Sequence, residues 1–351
     1  MQKTDRGKRE SNIELLRIFA AMGVVLLHYN NPYFGGGFLS VRAGSVNEAV
    51  LVYFETVSVC AVDLFVLISG YFLGTSDRRD LRKPLGLIAQ LFVFGTLFFV
   101  IKELPKAEPV TFDRVLSYYV PGYWFVFVYI ALYLISPYIN TLMDDLTGEG
   151  KKRLVVILFA LFAVYPILVD SLQYLSGRSL GGISTVGIEG SQSGYTIVNF
   201  VLMYVTGRYI RDNDKCYKTS RLLLFLMVDQ IMIIAWVIGD KIITGKNIFE
   251  TTAWNYENPL VIFEAVLFFL IFKNMKIKSS RVINTLSAAS FSVYILHIHF
   301  LEYLRIEKFA DSSPLMLILH MIISAALIYL LSFCLYMVYH FTAGHLFRKL
   351  H

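Results

Sequence analysis

Apolar residues run along almost the whole chain in long blocks separated by short polar or basic connections. Blocks of about 20 residues predict membrane-spanning helices, because 1.5 Å per residue carries a helix of that length across a hydrocarbon layer ~30 Å thick. Ten windows qualify, at roughly 12–31, 49–74, 84–102, 118–143, 153–170, 195–211, 221–240, 258–273, 282–303 and 314–341. The expected fold class is all-α, a polytopic membrane helical bundle of about ten transmembrane helices. An even number places both termini on one side of the membrane. Lys and Arg concentrate in the connections that share the side of the N-terminus, so the positive-inside rule makes both termini cytoplasmic.

Composition narrows the class further. The chain is 56% hydrophobic and 15% aromatic, with a mean hydropathy of +0.59, well outside the range of soluble domains. A multi-pass protein of the cell membrane is expected, with the lipid bilayer as its first partner. The net charge of +6 would suit nucleic acid, yet the basic residues follow topology and do not gather into a patch. They cluster as Arg78, Arg79, Arg82 and Lys83 after the second window, Lys151, Lys152 and Arg153 after the fourth, and Lys273, Lys276, Lys278 and Arg281 after the eighth. No nucleic-acid partner is expected. The flank Lys3, Arg6, Lys8 and Arg9 precedes a long segment with no small-residue cleavage site, which reads as a retained helix and not a signal peptide. Cys60, Cys216 and Cys334 lie in or beside different helices, form no CxxC spacing and read as packing residues. No repeat and no appended soluble domain is expected, so residues 1–351 read as a single integral-membrane domain. The Gly- and Ser-rich external segments 32–48 and 171–194, and 241–257 with Trp254 and Tyr256, read as loops, either simply flexible or forming lids or an acceptor platform.

Candidate chemistry begins in the first window, SNIELLRIFAAMGVVLLHYNN, where Arg17 and His28 interrupt an apolar run. Eleven steps of 100° fall within about 20° of three turns, so the two side chains share a face, ~16 Å apart along the axis. An ionisable group at membrane depth costs at least ~2.5 kcal/mol when charged, and such groups face a bundle interior or a wet cavity. The blander readings are an Arg17 that snorkels to the surface and a His28 bonded to Tyr29 or a loop. Asp63, near the middle of the second window, needs a partner, and a basic residue in the core would serve. Gly70 and Gly74, four apart, suit close helix contact. Arg79 and Arg82, three apart at the start of the third helix, would share a face and grip an anion together. In the ninth window His299 and Glu302 are three apart and within bonding reach near the outer surface, which makes Glu302 a candidate for positioning or acid work near an acceptor. His297 and His299 point about 160° apart on a helix and cannot chelate one metal, so no metal site is expected. An interhelical hydrogen bond is the expected job of His297. Tyr123 and Trp124 read as an aromatic belt at the outer interface, with sugar stacking as the sharper alternative.

Taken in order, Arg17 and His28 with ten residues between them, VDLFVLISGYFL over Val62 to Leu73, the Arg79 and Arg82 pair, YWFVFVYIALYLISPYIN over Tyr123 to Asn140, and FSVYILHIH over Phe291 to His299 resemble the acyltransferase 3 family of integral-membrane acyltransferases. The resemblance covers essentially the whole chain. It implies transfer of an acyl group, usually acetyl from cytoplasmic acetyl-CoA, to a hydroxyl of an extracytoplasmic or exported polysaccharide or its lipid-linked precursor. It also implies that His28 is catalytic and that Arg79 and Arg82 are associated with the CoA donor. The helical geometry agrees: Arg17, Arg79 and Arg82 stand at the cytoplasmic surface where phosphates would dock, and a slender pantetheine arm would carry the thioester up towards His28. Histidine suits a base at neutral pH, its unperturbed pKa being ~6.5, and it is also able to accept the acyl group itself; the sequence leaves both roles open. Separate accessory or polysaccharide-assembly proteins are open as partners. A membrane transporter or flippase for a small solute or glycolipid is the alternative reading, against which the cytoplasmic arginines below His28 weigh. A scaffold for polysaccharide assembly would gain nothing from the Arg17 and His28 stripe.

Overall fold

The computed structural model describes residues 9–74, 79–106, 109–119 and 123–342; Lys3, Arg6, Lys8 and Arg78 of the basic clusters lie outside them. The described residues are helical and contain no strand. The main helices are α1 (Ser11–Asn30), α2 (Val46–Leu73, with a turn at Val59 and Cys60), α3 (Arg82–Glu103), α4 (Trp124–Asp145) and α5 (Gly148–Ser176). They continue as α6 (Ile197–Asp212), α7 (Thr219–Thr244), α8 (Pro259–Asn274), α9 (Arg281–Ser287), α10 (Ser290–Leu301) and α11 (Pro314–Phe341). Side-chain oxygens of Ser45, Thr147, Thr196, Asn258 and Ser313 accept backbone N–H groups at the starts of α2, α5, α6, α8 and α11, satisfying donors that hydrocarbon would leave unpaired.

Each of the ten apolar windows contains a helix, but the windows and the spans differ in number. Among the described residues seven helices, α1 to α5, α7 and α11, are long and apolar enough to cross a membrane, and the pair α9 and α10, bent by 55°, makes up to eight. The remaining two windows became α6 and α8, of 16 residues each, or about 24 Å. Both are short because they serve the core. The apolar stretch of α2 is 72% buried, against 22% for α5 and 28% for α7, so α2 is central and α5 and α7 present their sides outward.

α2 and α6 touch backbone to backbone at glycines. A Cβ on Gly70 would collide with the Tyr204 carbonyl, and one on Gly207 with the Leu67 carbonyl, so only glycine permits this crossing. Beyond it, the last carbonyls of α2 are all claimed. Arg211 donates to Tyr71 O at 2.6 Å, Asn140 to Leu73 O at 2.9 Å, Arg79 to Leu73 O at 3.2 Å, and Arg208 to Gly74 O. Cations and amides thus occupy the negative end of the helix dipole. At the α9/α10 bend the Ser290 hydroxyl donates to Ser287 O at 2.8 Å and the Tyr329 hydroxyl to Leu286 O at 3.0 Å. Those donors let the break persist at membrane depth, where irregular backbone survives against protein or a cavity.

Candidate active site

Two cavities meet towards the C-terminal end of α1, an inner one on its N-terminal side and an outer one at its C-terminus. The inner one, about 350 Å³, runs from Arg9 and Arg17 past Ser69 and Tyr129 to Val24 and Tyr294, and the α9/α10 bend forms one wall. Arg17 shares its charge with Glu14 at 3.5 Å and lies 5.8 Å from the Phe72 ring. Glu14 also takes the Ser287 hydroxyl. The guanidinium remains one third exposed to the cavity side, so it is only partly neutralised.

The outer cavity, about 430 Å³, is lined by His28, Glu55, Trp124, Tyr195, Trp254 and Tyr256, among others. Its walls come from elements far apart in sequence. The segment before α6 supplies Ser193 and Tyr195 on one side, and the segment before α8 supplies Thr251, Trp254 and Asn255 on the other. Phe34 reaches His28, with ring centroids 4.8 Å apart, because the loop after α1 folds flat onto the helix end. Gly35 donates its N–H to His28 O at 2.8 Å, and a Cβ there would collide with the Tyr29 carbonyl. Trp124 meets Tyr195 edge-on at 4.6 Å and lies over Tyr256 at 6.2 Å. Asn30, fully buried, donates to Glu55 Oε2 at 2.9 Å.

The partition between the cavities is about one helical turn thick. Val24 lines the inner cavity and His28 the outer; on α4 the consecutive residues Phe125 and Trp124 divide in the same way. His28 Nδ1 is 2.9 Å from Val24 O. A carbonyl only accepts, so Nδ1 carries the proton and the neutral ring has its lone pair at Nε2. His297 repeats the arrangement, with Nδ1 3.0 Å from Val293 O, and its Nε2 is buried without a hydrogen-bond partner. The two imidazoles meet edge to face, centroids 4.5 Å apart. His28 therefore stands where a cavity lined by Arg9 and Arg17 approaches one lined by aromatic and amide groups, with the buried His297 ring, which lines neither, packed against it.

The model of the acyltransferase 3 family, an acyltransferase domain, matches residues 10–337. The chain belongs to that family. No curated protein and no solved structure matches it. Within this acyltransferase domain the transporter or flippase alternative has no observation of its own, and the chain is a membrane-bound acyltransferase 3 protein.

The acyltransferase 3 fold places the sequence candidates unevenly. Arg17 and His28 do stand one above the other beside cavities. Ala20 and Ala21, which share their stripe, line neither cavity and are packed into the core at 0% and 2% exposure; Val24 alone of that set faces the corridor. Arg79 and Arg82 do not share a helix face, since Arg79 precedes α3 and Arg82 opens it. Pro137 explains the position of Arg79. Lacking an N–H, it frees the Tyr133 carbonyl, which takes the Ser136 hydroxyl at 2.7 Å. Ser136 Oγ in turn accepts from Arg79 Nε at 2.7 Å, while Arg79 Nη2 reaches Tyr204 OH at 3.1 Å and Leu73 O. Arg82 is exposed. Neither arginine lines the inner cavity, whereas Arg9, which the sequence marks only as part of a basic flank, does.

Glu302 is not brought to His28. Its carboxylate pairs with Lys102 at 2.7 Å on a half-exposed surface, while His299, its expected partner, bonds Tyr123 OH at 3.2 Å and stacks on Phe98 at 4.3 Å. The residue five places on from His297 has left the helix and faces the other way. Tyr123 is buried and bonded, not part of an interfacial belt; Trp124 is the one that reaches the outer cavity. Asp63 finds an amide, Asn199 Nδ2 at 3.0 Å, in place of a base. His297 makes no interhelical hydrogen bond of the kind expected of it: its Nδ1 bonds Val293 O within its own helix, and what it brings to another helix is its ring, packed on His28. Glu55 is the site residue that sequence reasoning missed. For Glu55 the missed signal was an ionisable side chain inside the second apolar window, the same signal that singled out Asp63.

Proposed function

We propose that this acyltransferase moves an acetyl group from cytoplasmic acetyl-CoA to a hydroxyl of an extracytoplasmic or exported polysaccharide or its lipid-linked precursor. The proposed topology has ten spans, with α6, α8 and the α9/α10 pair completing the seven long helices and both termini cytoplasmic. What supports the reading is the meeting of two unlike cavities at the His28 and His297 pair. Arg9 and Arg17 suit the phosphates of the donor at the inner mouth, because guanidinium is permanently charged and binds phosphate in a bidentate way. Arg82, exposed at the start of α3, adds a third cation on that side, and Arg79 acts by holding the ends of α2 and α4 in place. The pantetheine arm lies in the inner cavity with its thioester at the partition, and the acceptor sugar lies in the outer cavity.

In the step itself His28 Nε2 takes the proton of the acceptor hydroxyl as that oxygen bonds to the thioester carbonyl carbon. The carbon–sulfur bond breaks and the departing thiolate takes the proton back from the imidazolium. The Val24 carbonyl holds the ring in the required tautomer. His297 packs its ring edge to face on that of His28, and so is a positioning residue.

The test is transfer by detergent-purified protein and O-acetyl content of surface glycans by NMR in a deletion strain complemented with each variant. His28→Ala is expected to lower transfer by 10²- to 10⁴-fold, the usual value of a general base, while the protein stays inserted and is still stabilised against heat by acetyl-CoA. Near-normal O-acetylation with His28→Ala would remove His28 from the chemistry. Absence of any stabilisation by CoA or acetyl-CoA would remove the donor.

A further inference from the structure

We infer that the outer cavity selects, as the sugar unit to be acylated, one that carries no carboxylate, phosphate or sulfate, because no cation among its described lining residues would receive such a group. The inference rests on the proposed reading of the outer cavity as the acceptor site and says which sugars that site takes.

Glu55 takes no part in the proton transfer, yet it is built into the site. It shares the outer cavity with His28, and Asn30, two residues after His28 on α1, pins one carboxylate oxygen at 2.9 Å. The same amide donates to Leu51 O at 3.2 Å, so its orientation is fixed by the backbone of α2. None of the described residues that line this cavity is Lys or Arg. An anionic substituent entering it would lose water and find no cation, and both oppose binding. Hydroxyl groups meet the opposite situation, since carboxylate and amide oxygens accept their protons and the amide N–H groups of Asn31 and Asn255 return donors. The faces of Trp124, Trp254 and Tyr256 cover the apolar side of a pyranose ring.

The charge pattern changes outside this pocket. An adjoining outer cavity shares Ser193, Phe249, Thr251 and Asn255 with it and is lined in addition by Arg178 and Lys246, interspersed with Glu189 and Glu250. Cations are therefore available one subsite away, and the exclusion of acidic groups is local to the unit beside His28. A polymer with acidic sugars at other positions remains compatible with the groove.

Tryptophan fluorescence reads this directly, since two of the three tryptophans, Trp124 and Trp254, line the outer cavity. In a Trp236→Phe background, methyl β-glucoside and methyl β-glucuronide are titrated into purified full-length protein. Saturable quenching by the glucoside with at least about tenfold weaker binding of the glucuronide is expected. A glucuronide that binds as well as the glucoside overturns the inference and leaves the acceptor reading intact. No response to either glycoside overturns both.

Discussion

At the residue scale, the two arginines of the loop between α2 and α3 separate by what they touch. Arg79 is held by Ser136, Tyr204 and the end of α2, and Arg82 is exposed. Arg79→Ala is therefore expected to lower thermal stability in detergent by the equivalent of about 2 kcal/mol, the scale of charge-assisted hydrogen bonds lost in protein. Arg82→Ala should change stability by less than about 0.5 kcal/mol and instead raise the KM for acetyl-CoA. Equal melting temperatures for the two variants would contradict this division. The sequence marks Arg17 and His28 because each is a lone polar residue in an apolar helix, a signal that needs no knowledge of neighbours. His297 carries the same mark, but its meaning depends on the α9/α10 bend, which turns α10 so that the ring meets His28. No spacing within one helix encodes that encounter. Arg79 misled for a related reason: an Arg-x-x-Arg spacing defines a common face only if both residues are helical, and the demands of the α2 end and of Pro137 kept Arg79 out of α3.

At the element scale, the inner corridor is walled by α1, α2, α4 and the α9/α10 bend, and not by the small residues of α1. A bulky residue at Ala21 would therefore unseat α1 from its neighbours without plugging the corridor. Ser69 on α2 faces the cavity and bonds Tyr129 OH at 3.0 Å, which makes it the better reporter. With Cys216 and Cys334, both exposed, replaced by serine, a Ser69→Cys variant should react with a thiol reagent in membranes, and saturating acetyl-CoA should slow that reaction. Labelling at an unchanged rate in an active variant would sink the corridor. The loop that carries Trp254 and Tyr256 has its own sensitivity. Burial pushes the Glu257 carboxyl up to about 8, against the hydrogen bond from Ser191 that lowers it. The Ser191 hydroxyl has one proton to give and lies against both Asp170 and Glu257, so a second proton on the carboxyl pair completes the cluster. Since the folded value is raised, this contribution to stability is full below the ordinary carboxylate range and is lost as pH rises through about 8. The melting temperature should fall over that window, and Glu257→Gln, a permanent neutral substitute, should flatten the fall. An equal slope in both proteins would assign the pH effect elsewhere. None of this was legible in the sequence, where residues 171–194 and 241–257 show only loop composition; their contact is a matter of tertiary packing.

At the scale of the whole molecule, the windows found every helix of the bundle but not its division into long and short ones. Hydropathy reports how apolar a segment is, and α6 and α8 are apolar because they are buried by other helices, at 16 residues each, as much as because they meet lipid. The partition at His28 bears on energetics as well as on chemistry. On the proposed assignment the acetyl group goes outward through it as the hydroxyl proton comes inward to the thiolate, so the exchange carries no net charge across the bilayer. A reaction that moved one elementary charge would gain or lose about 2.3 kcal/mol per 100 mV. This one should run at the same rate in proteoliposomes clamped at zero or at a large potassium diffusion potential of either sign. A strong dependence on potential would show that the proton and the acetyl group part company. With no dependence, the cell meets the cost of decorating its surface from the thioester bond alone, and a de-energised membrane acetylates its glycans as fast as an energised one.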